Sequence, residues 1–217
     1  MNILTNFLLS QSVLIPIITG MVLLRRPDKI YFPFFTVLLF GLLAESASFI
    51  LINTFRISNA PVIKIYSLLE CCLILYQLYL WENLYRRKRS YIYIAAFCIT
   101  FWFTETIIYA NLNTFSPYFR EFYAFIIAIL SIDQINTMMF YHEKTVVKNP
   151  RFLICLGFII IFIYQIIYEA SFSIDSAESA VANKIIIGFG YLNFAINLLY
   201  AVAIYFIPRR KEDIIKS

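Results

Sequence analysis

Charge is scarce in this chain. Asp, Glu, Lys and Arg make up 14% of its 217 residues, against about 25% in ordinary soluble domains. Histidine is scarcer still, with His142 alone. One histidine excludes the multi-histidine zinc hydrolases of the membrane, such as the ceramidase type. Glycine and proline number 5 and 7, and no low-complexity stretch or linker is present, so one compact domain over 1–217 is expected. No Gly-rich phosphate loop occurs, and the Pro-Gln signature of the seven-helix sugar transporters is absent. An intramembrane aspartyl protease needs two embedded aspartates, and only Asp133 qualifies. A retinal protein needs a lysine within its last helix, and the nearest, Lys184, falls at a span boundary. The chain is therefore not expected to be an enzyme, and no cofactor or metal is expected.

Cysteine is also sparse and carries no motif. Cys71, Cys72, Cys98 and Cys155 all fall in apolar stretches without a CxxC spacing. They read as small packing residues.

What the chain has in excess is apolar surface: 61% of residues are hydrophobic and 18% aromatic. A soluble core of this length cannot hide so much, whereas a bilayer is spanned by roughly 20 apolar residues of helix. Seven such stretches stand out, over 3–24, 30–51, 62–82, 91–110, 121–141, 152–172 and 185–207. Turn and charge signals separate them, for example Ser58-Asn59-Ala60-Pro61 and Arg86-Arg87-Lys88-Arg89. The stretches exceed the ~10 residues of a barrel strand. The predicted fold is an all-α membrane protein, a seven-transmembrane-helix bundle whose first partner is the lipid bilayer.

Orientation follows from the Lys and Arg count. Separators after stretches 1, 3, 5 and 7 hold Arg25, Arg26, Lys29, Arg86, Arg87, Lys88, Arg89, Lys144, Lys148, Arg151, Arg209, Arg210, Lys211 and Lys216. The other side holds Arg56, Lys64, Arg120 and Lys184. Fourteen against four predicts the N-terminus outside and the C-terminus in the cytoplasm, in a multi-pass inner-membrane protein. The net charge of +5 is thus a topology signal and not a nucleic-acid footprint. The first stretch lacks a basic leader, and its positive cluster follows it, so it reads as a retained span.

Ionisable residues within spans are functional candidates by default, because each costs about 2.5–3.5 kcal/mol to insert. Glu45, Glu70, Glu105, Asp133 and Glu169 are such residues, and no Lys or Arg lies deep in any stretch. They are expected to be protonated, hydrated, paired with rim cations such as Arg56, Arg120 or Lys184, or bound to a cation. Neutral polar residues accompany them: Ser67 and Gln77 on the stripe of Glu70, Asn136 and Thr137 beside Asp133, Gln165 before Glu169, and Asn193 with Asn197. At ~1.5 Å per residue from the outer ends, Glu169 lies about 5 Å deep, Glu105 about 8 Å, Glu45 about 10 Å, Glu70 and Asn193 about 12 Å, and Asp133 and Asn197 near 18 Å. The set describes an outward-opening polar funnel, closed toward the cytoplasm by aliphatic and aromatic residues. Against this, shallow carboxylates suit the headgroup region, and amides often only join helices.

Spacing hints at an internal repeat. Glu45, Glu105 and Glu169 lie in alternate stretches, followed in the next by Glu70, Asp133 and Asn193. The segment Tyr66-Ser67-Leu68-Leu69-Glu70 within its apolar run resembles the uncharacterised small seven-helix inner-membrane proteins of the Bacteroidota type, a likeness that implies fold and location but no activity.

Two functions fit. In the first, the bundle binds or transports a small cation, proton or amine through Glu45, Glu70, Gln77, Glu105, Asp133, Asn136, Glu169, Asn193 and Asn197, since carboxylates and amides suit hard cations and ammonium groups. In the second, it is a membrane sensor or accessory subunit. A protein partner would then dock on the basic cytoplasmic face formed by Arg86, Arg87, Lys88, Arg89, Arg209, Arg210 and Lys211.

Overall fold

In a computed structural model, residues 9, 11–23, 29–82, 85–109, 111–112, 114–141, 146–173 and 180–208 are described. Their regular structure is helical throughout, in seven α-helices: α1 (Leu14–Leu23), α2 (Phe32–Ile50), α3 (Ala60–Trp81), α4 (Tyr85–Phe103), α5 (Tyr118–Tyr141), α6 (Pro150–Ser173) and α7 (Ala180–Tyr205). Prolines mark their starts. Pro33, Pro61 and Pro150 occupy the first turns of α2, α3 and α6, where proline's fixed φ suits the helix and its missing N–H leaves no bond unmade.

Six segments are long and apolar enough to cross a membrane: Lys29–Phe55, Ala60–Trp81, Arg87–Ile108, Tyr118–Phe140, Pro150–Ser171 and Lys184–Tyr205. They coincide with six of the seven expected stretches. The first stretch is described only as the shorter apolar helix Gln11–Leu23. Residues 3–8, 10 and 24 of that stretch lie outside the described residues, and among the described residues six segments long and apolar enough to span mark a multi-pass membrane protein. Large apolar side chains such as Met21, Leu43, Phe97, Phe125, Phe140 and Val202 face outward. A surface this apolar is stable only in lipid.

The helices form a ring with one outrigger. α1 packs on α2 and α7, α2 on α3, α3 on α5, α5 on α6, and α6 on α7. Six helices thus close on themselves, and α4 stands outside, against α3 and α5. Both α2 and α4 end in a π-helical turn, Leu51–Phe55 and Thr104–Tyr109. The first of these stops at Arg56, whose φ of 53° is left-handed. The ends carrying Phe55–Ala60 and Thr114–Pro117 are opposite the end carrying Arg87–Arg89, called here the basic end.

Tight helix contacts use glycine. A Cβ on Gly157 of α6 would overlap the Tyr200 ring of α7, and one on Gly188 would overlap the Tyr164 hydroxyl. The cysteines are free thiols, with Cys71, Cys98 and Cys155 buried.

Candidate functional site

A cavity of about 330 Å³ lies within the ring, at the small end of ligand sites. The 3-10 turn before α1 and helices α2, α3, α5, α6 and α7 all line it, and α4 contributes nothing to its described wall. On α3 the lining runs from Asn59 and Ile63 at the helix start to Ile74, roughly 22 Å along the axis at ~1.5 Å per residue.

The floor, toward the basic end, is aromatic. Phe34 meets Tyr200 edge-on at 5.2 Å between ring centroids, and Phe158 lies 6.3 Å from Phe34 and 6.0 Å from Tyr200. Edge-to-face rings at these distances lock one another. Gln77 secures Phe34 from behind: its Oε1 accepts the Phe34 N–H at 2.9 Å, and its Nε2 donates to the Ile30 carbonyl at 2.6 Å. These bonds satisfy backbone groups at the start of α2 that the helix leaves open.

Glu70 forms the polar midsection. Its Oε1 accepts the Tyr66 hydroxyl at 2.8 Å, and its Oε2 accepts the Tyr123 hydroxyl at 2.5 Å. Gln165 donates to the Tyr123 oxygen at 3.1 Å. One carboxylate thereby joins α3, α5 and α6. Tyr66 is one helical turn before Glu70, the spacing that lets the two side chains meet.

Farther from the basic end, Glu45, Ser48 and Tyr168 line the cavity, and Glu45 is exposed. Arg120, in the first turn of α5, also lines it. Its Nη1 sits 3.0 Å from the Glu169 carboxylate, which is fully buried behind the wall. Of the rim cations expected near the shallow carboxylates, Arg120 is the one that takes Glu169. Asn197 completes the lining near α1, donating to Ser12 Oγ at 2.8 Å and to Asn193 Oδ1 at 3.4 Å.

Glu45, Glu70, Asn193 and Asn197 therefore share one cavity, with Glu169 directly behind it. Gln77, Glu105, Asp133 and Asn136 do not line it. Glu105 reaches from the π turn of α4 to the start of α5, where it accepts the Phe119 N–H at 2.8 Å and the Ser116 hydroxyl. A carboxylate on the free N–H groups of a helix start is a capping interaction. Asp133 pairs with Arg87 at 3.2 Å, and that arginine also donates to Thr137 at 3.1 Å. The ten residues from Tyr123 to Asp133 set the aspartate about 15 Å along α5 from the Glu70 contact. Asn136 is exposed on the outside of α5. The three carboxylates of the suspected repeat, Glu45, Glu105 and Glu169, thus have three different environments.

Tyr66, Tyr123, Tyr168 and Tyr200 are not among the site residues expected from the sequence, and Arg120 is expected only as a rim cation. Tyrosines in a membrane chain resemble interfacial anchors, which hides those that line a cavity. The usable signal was depth, since Arg120 and Glu169 lie near the same end of adjoining helices.

On the basic face, Arg87 is committed to Asp133, and Lys88 lies 5.3 Å over the Tyr79 ring. Arg89 is exposed. The Arg86 side chain and Arg209, Arg210 and Lys211 lie outside the described residues. Among the described residues, no group of three or more His, Cys, Asp or Glu is placed to hold a metal ion. Comparison with protein-family models, with curated proteins and with solved structures returned no match.

Proposed function

We propose that this polytopic membrane protein binds, and in doing so carries or senses, a small cationic ligand in the ring cavity. The supporting observation is Glu70. It stands in the cavity wall well inside the bundle, with both oxygens accepting hydroxyls, the role an anionic carboxylate fills. An anion at that depth is costly unless bonded or neutralised, and a cation entering the cavity would neutralise it.

The reading includes a topology. All seven apolar stretches span, the cavity opens outward, and the basic end faces the cytoplasm of an inner-membrane protein, by the uneven Lys and Arg distribution. Single cysteines placed at Asn59 and at Arg89 in a background without the native cysteines should react with an impermeant thiol reagent from opposite sides. The binding reading is tested with purified protein in detergent. Ammonium and alkali cations should raise the unfolding temperature of the native chain, and less so that of Glu45→Gln or Glu70→Gln. Indistinguishable responses in all three proteins would count against it.

The second reading, a sensor acting through a protein docked on the basic face, draws on the exposure of Arg87 and Arg89. Affinity capture that returns no stable partner, from native membranes and with Arg89→Glu as control, would oppose it.

A further inference from the structure

We infer that the ligand is an amphipathic amine, its ammonium group lodged between Glu45 and Glu70 and its apolar tail laid along the aromatic floor. The inference rests on the cation-binding reading above and narrows the class of cation.

The cavity wall is divided along its length. Glu45, Tyr66, Arg120 and Tyr168 line the half away from the basic end, while Val37, Leu38, Ile74, Phe158 and Tyr200 line the half toward it. Eleven residues of α2 separate Phe34 from Glu45, about 16 Å at ~1.5 Å per residue. A proton or a bare inorganic ion makes no use of such a floor. Hard metal ions also require six or more oxygens, and no three-residue acidic or His/Cys group converges among the described residues. An alkyl or aryl tail, by contrast, gains from every methylene it buries there.

Charge sets the sign of the head. Arg120 would repel a cation were it alone, but Glu169 stands 3.0 Å from it and offsets its charge. The described wall then presents Glu45 and Glu70 in addition to that pair. Two carboxylates favour an ammonium over a carboxylate-bearing ligand, and Tyr66 and Tyr168 line the same part of the wall. The floor is rigid enough to discriminate by shape. Phe34, Phe158 and Tyr200 interlock, and Tyr200 fills the space over Gly157 that a Cβ would need.

Calorimetric titration of the full chain in phosphatidylcholine nanodiscs tests this, with empty nanodiscs subtracting partition into lipid. Four probes are compared: methylamine, hexylamine, hexanol and norleucine. Hexylamine should bind more than about tenfold tighter than methylamine, since each buried methylene contributes roughly fourfold. Hexanol and norleucine should each be weaker than hexylamine by at least a similar factor. Glu45→Gln and Glu70→Gln should weaken hexylamine binding. Leu38→Asn, on the floor, should weaken hexylamine by a larger factor than methylamine, a split that misfolding would not produce. Equal affinity for methylamine and hexylamine would overturn the amphipathic ligand and leave the cation reading standing. Norleucine or hexanol matching hexylamine would overturn the ammonium head. Silence toward both amines and toward ammonium and sodium would bring down both readings.

Discussion

Arg120 and Glu169 lie 3.0 Å apart across α5 and α6, and the glutamate has no exposed surface at all. Their pairing converts two residues that are individually expensive in a bundle into one neutral unit beside the cavity. Removing one partner leaves an uncompensated buried charge, which costs about 3–5 kcal/mol. Arg120→Gln should therefore lower thermal stability in detergent substantially. Replacing both, as Arg120→Met with Glu169→Leu, should recover most of the loss. Equal unfolding temperatures for the native chain and Arg120→Gln would show that the pair contributes nothing.

Tyr123 is the hinge of the polar network, since its hydroxyl donates to Glu70 and accepts from Gln165. Tyr123→Phe deletes both bonds and removes the acceptor of the buried Gln165 amide, at about 1–3 kcal/mol. Tyr66→Phe removes one bond only and should cost less. Chemical denaturation of the two variants side by side gives the order.

Gln77 separates structure from binding. Gln77→Leu frees the Phe34 N–H and the Ile30 carbonyl and should destabilise by about 1–3 kcal/mol. Amine affinity, corrected for the folded fraction, should stay within error of the native chain, because Gln77 supports the floor from outside the cavity.

Gly157→Ala should lower stability by about 1–3 kcal/mol through overpacking, because its Cβ meets the Tyr200 ring. Since Tyr200 is part of the floor, hexylamine affinity should fall with it. A crystal or cryo-EM structure of the variant would show the ring displaced.

Arg87→Ala should barely matter. The Arg87–Asp133 pair is 45% and 46% exposed, and such pairs are worth about 0–1 kcal/mol. An unfolding temperature within a degree or two of the native chain is expected.

Length and composition alone determined the membrane fold. Twenty-residue apolar runs punctuated by Pro and charge permit helices spanning lipid and little else, because a bilayer leaves no other way to satisfy the backbone. Six of the seven stretches appear as spanning segments close to their expected bounds. The sequence also located costly polar residues, since a carboxylate in an apolar run is visible without coordinates. It did not reveal where each one points. Glu70 and Asp133 look equivalent in a list of intramembrane acids, yet one stands in a cavity and the other meets Arg87 near the opposite end. Glu105 looks like a ligand and is a cap for α5. These differences depend on which helices neighbour one another and on rotation about each helix axis. In this protein the ring leaves α4 outside, and that single fact removes Glu105 from the cavity. Neighbours and rotation are set by side-chain packing between helices distant in sequence, so only the tertiary structure decided them.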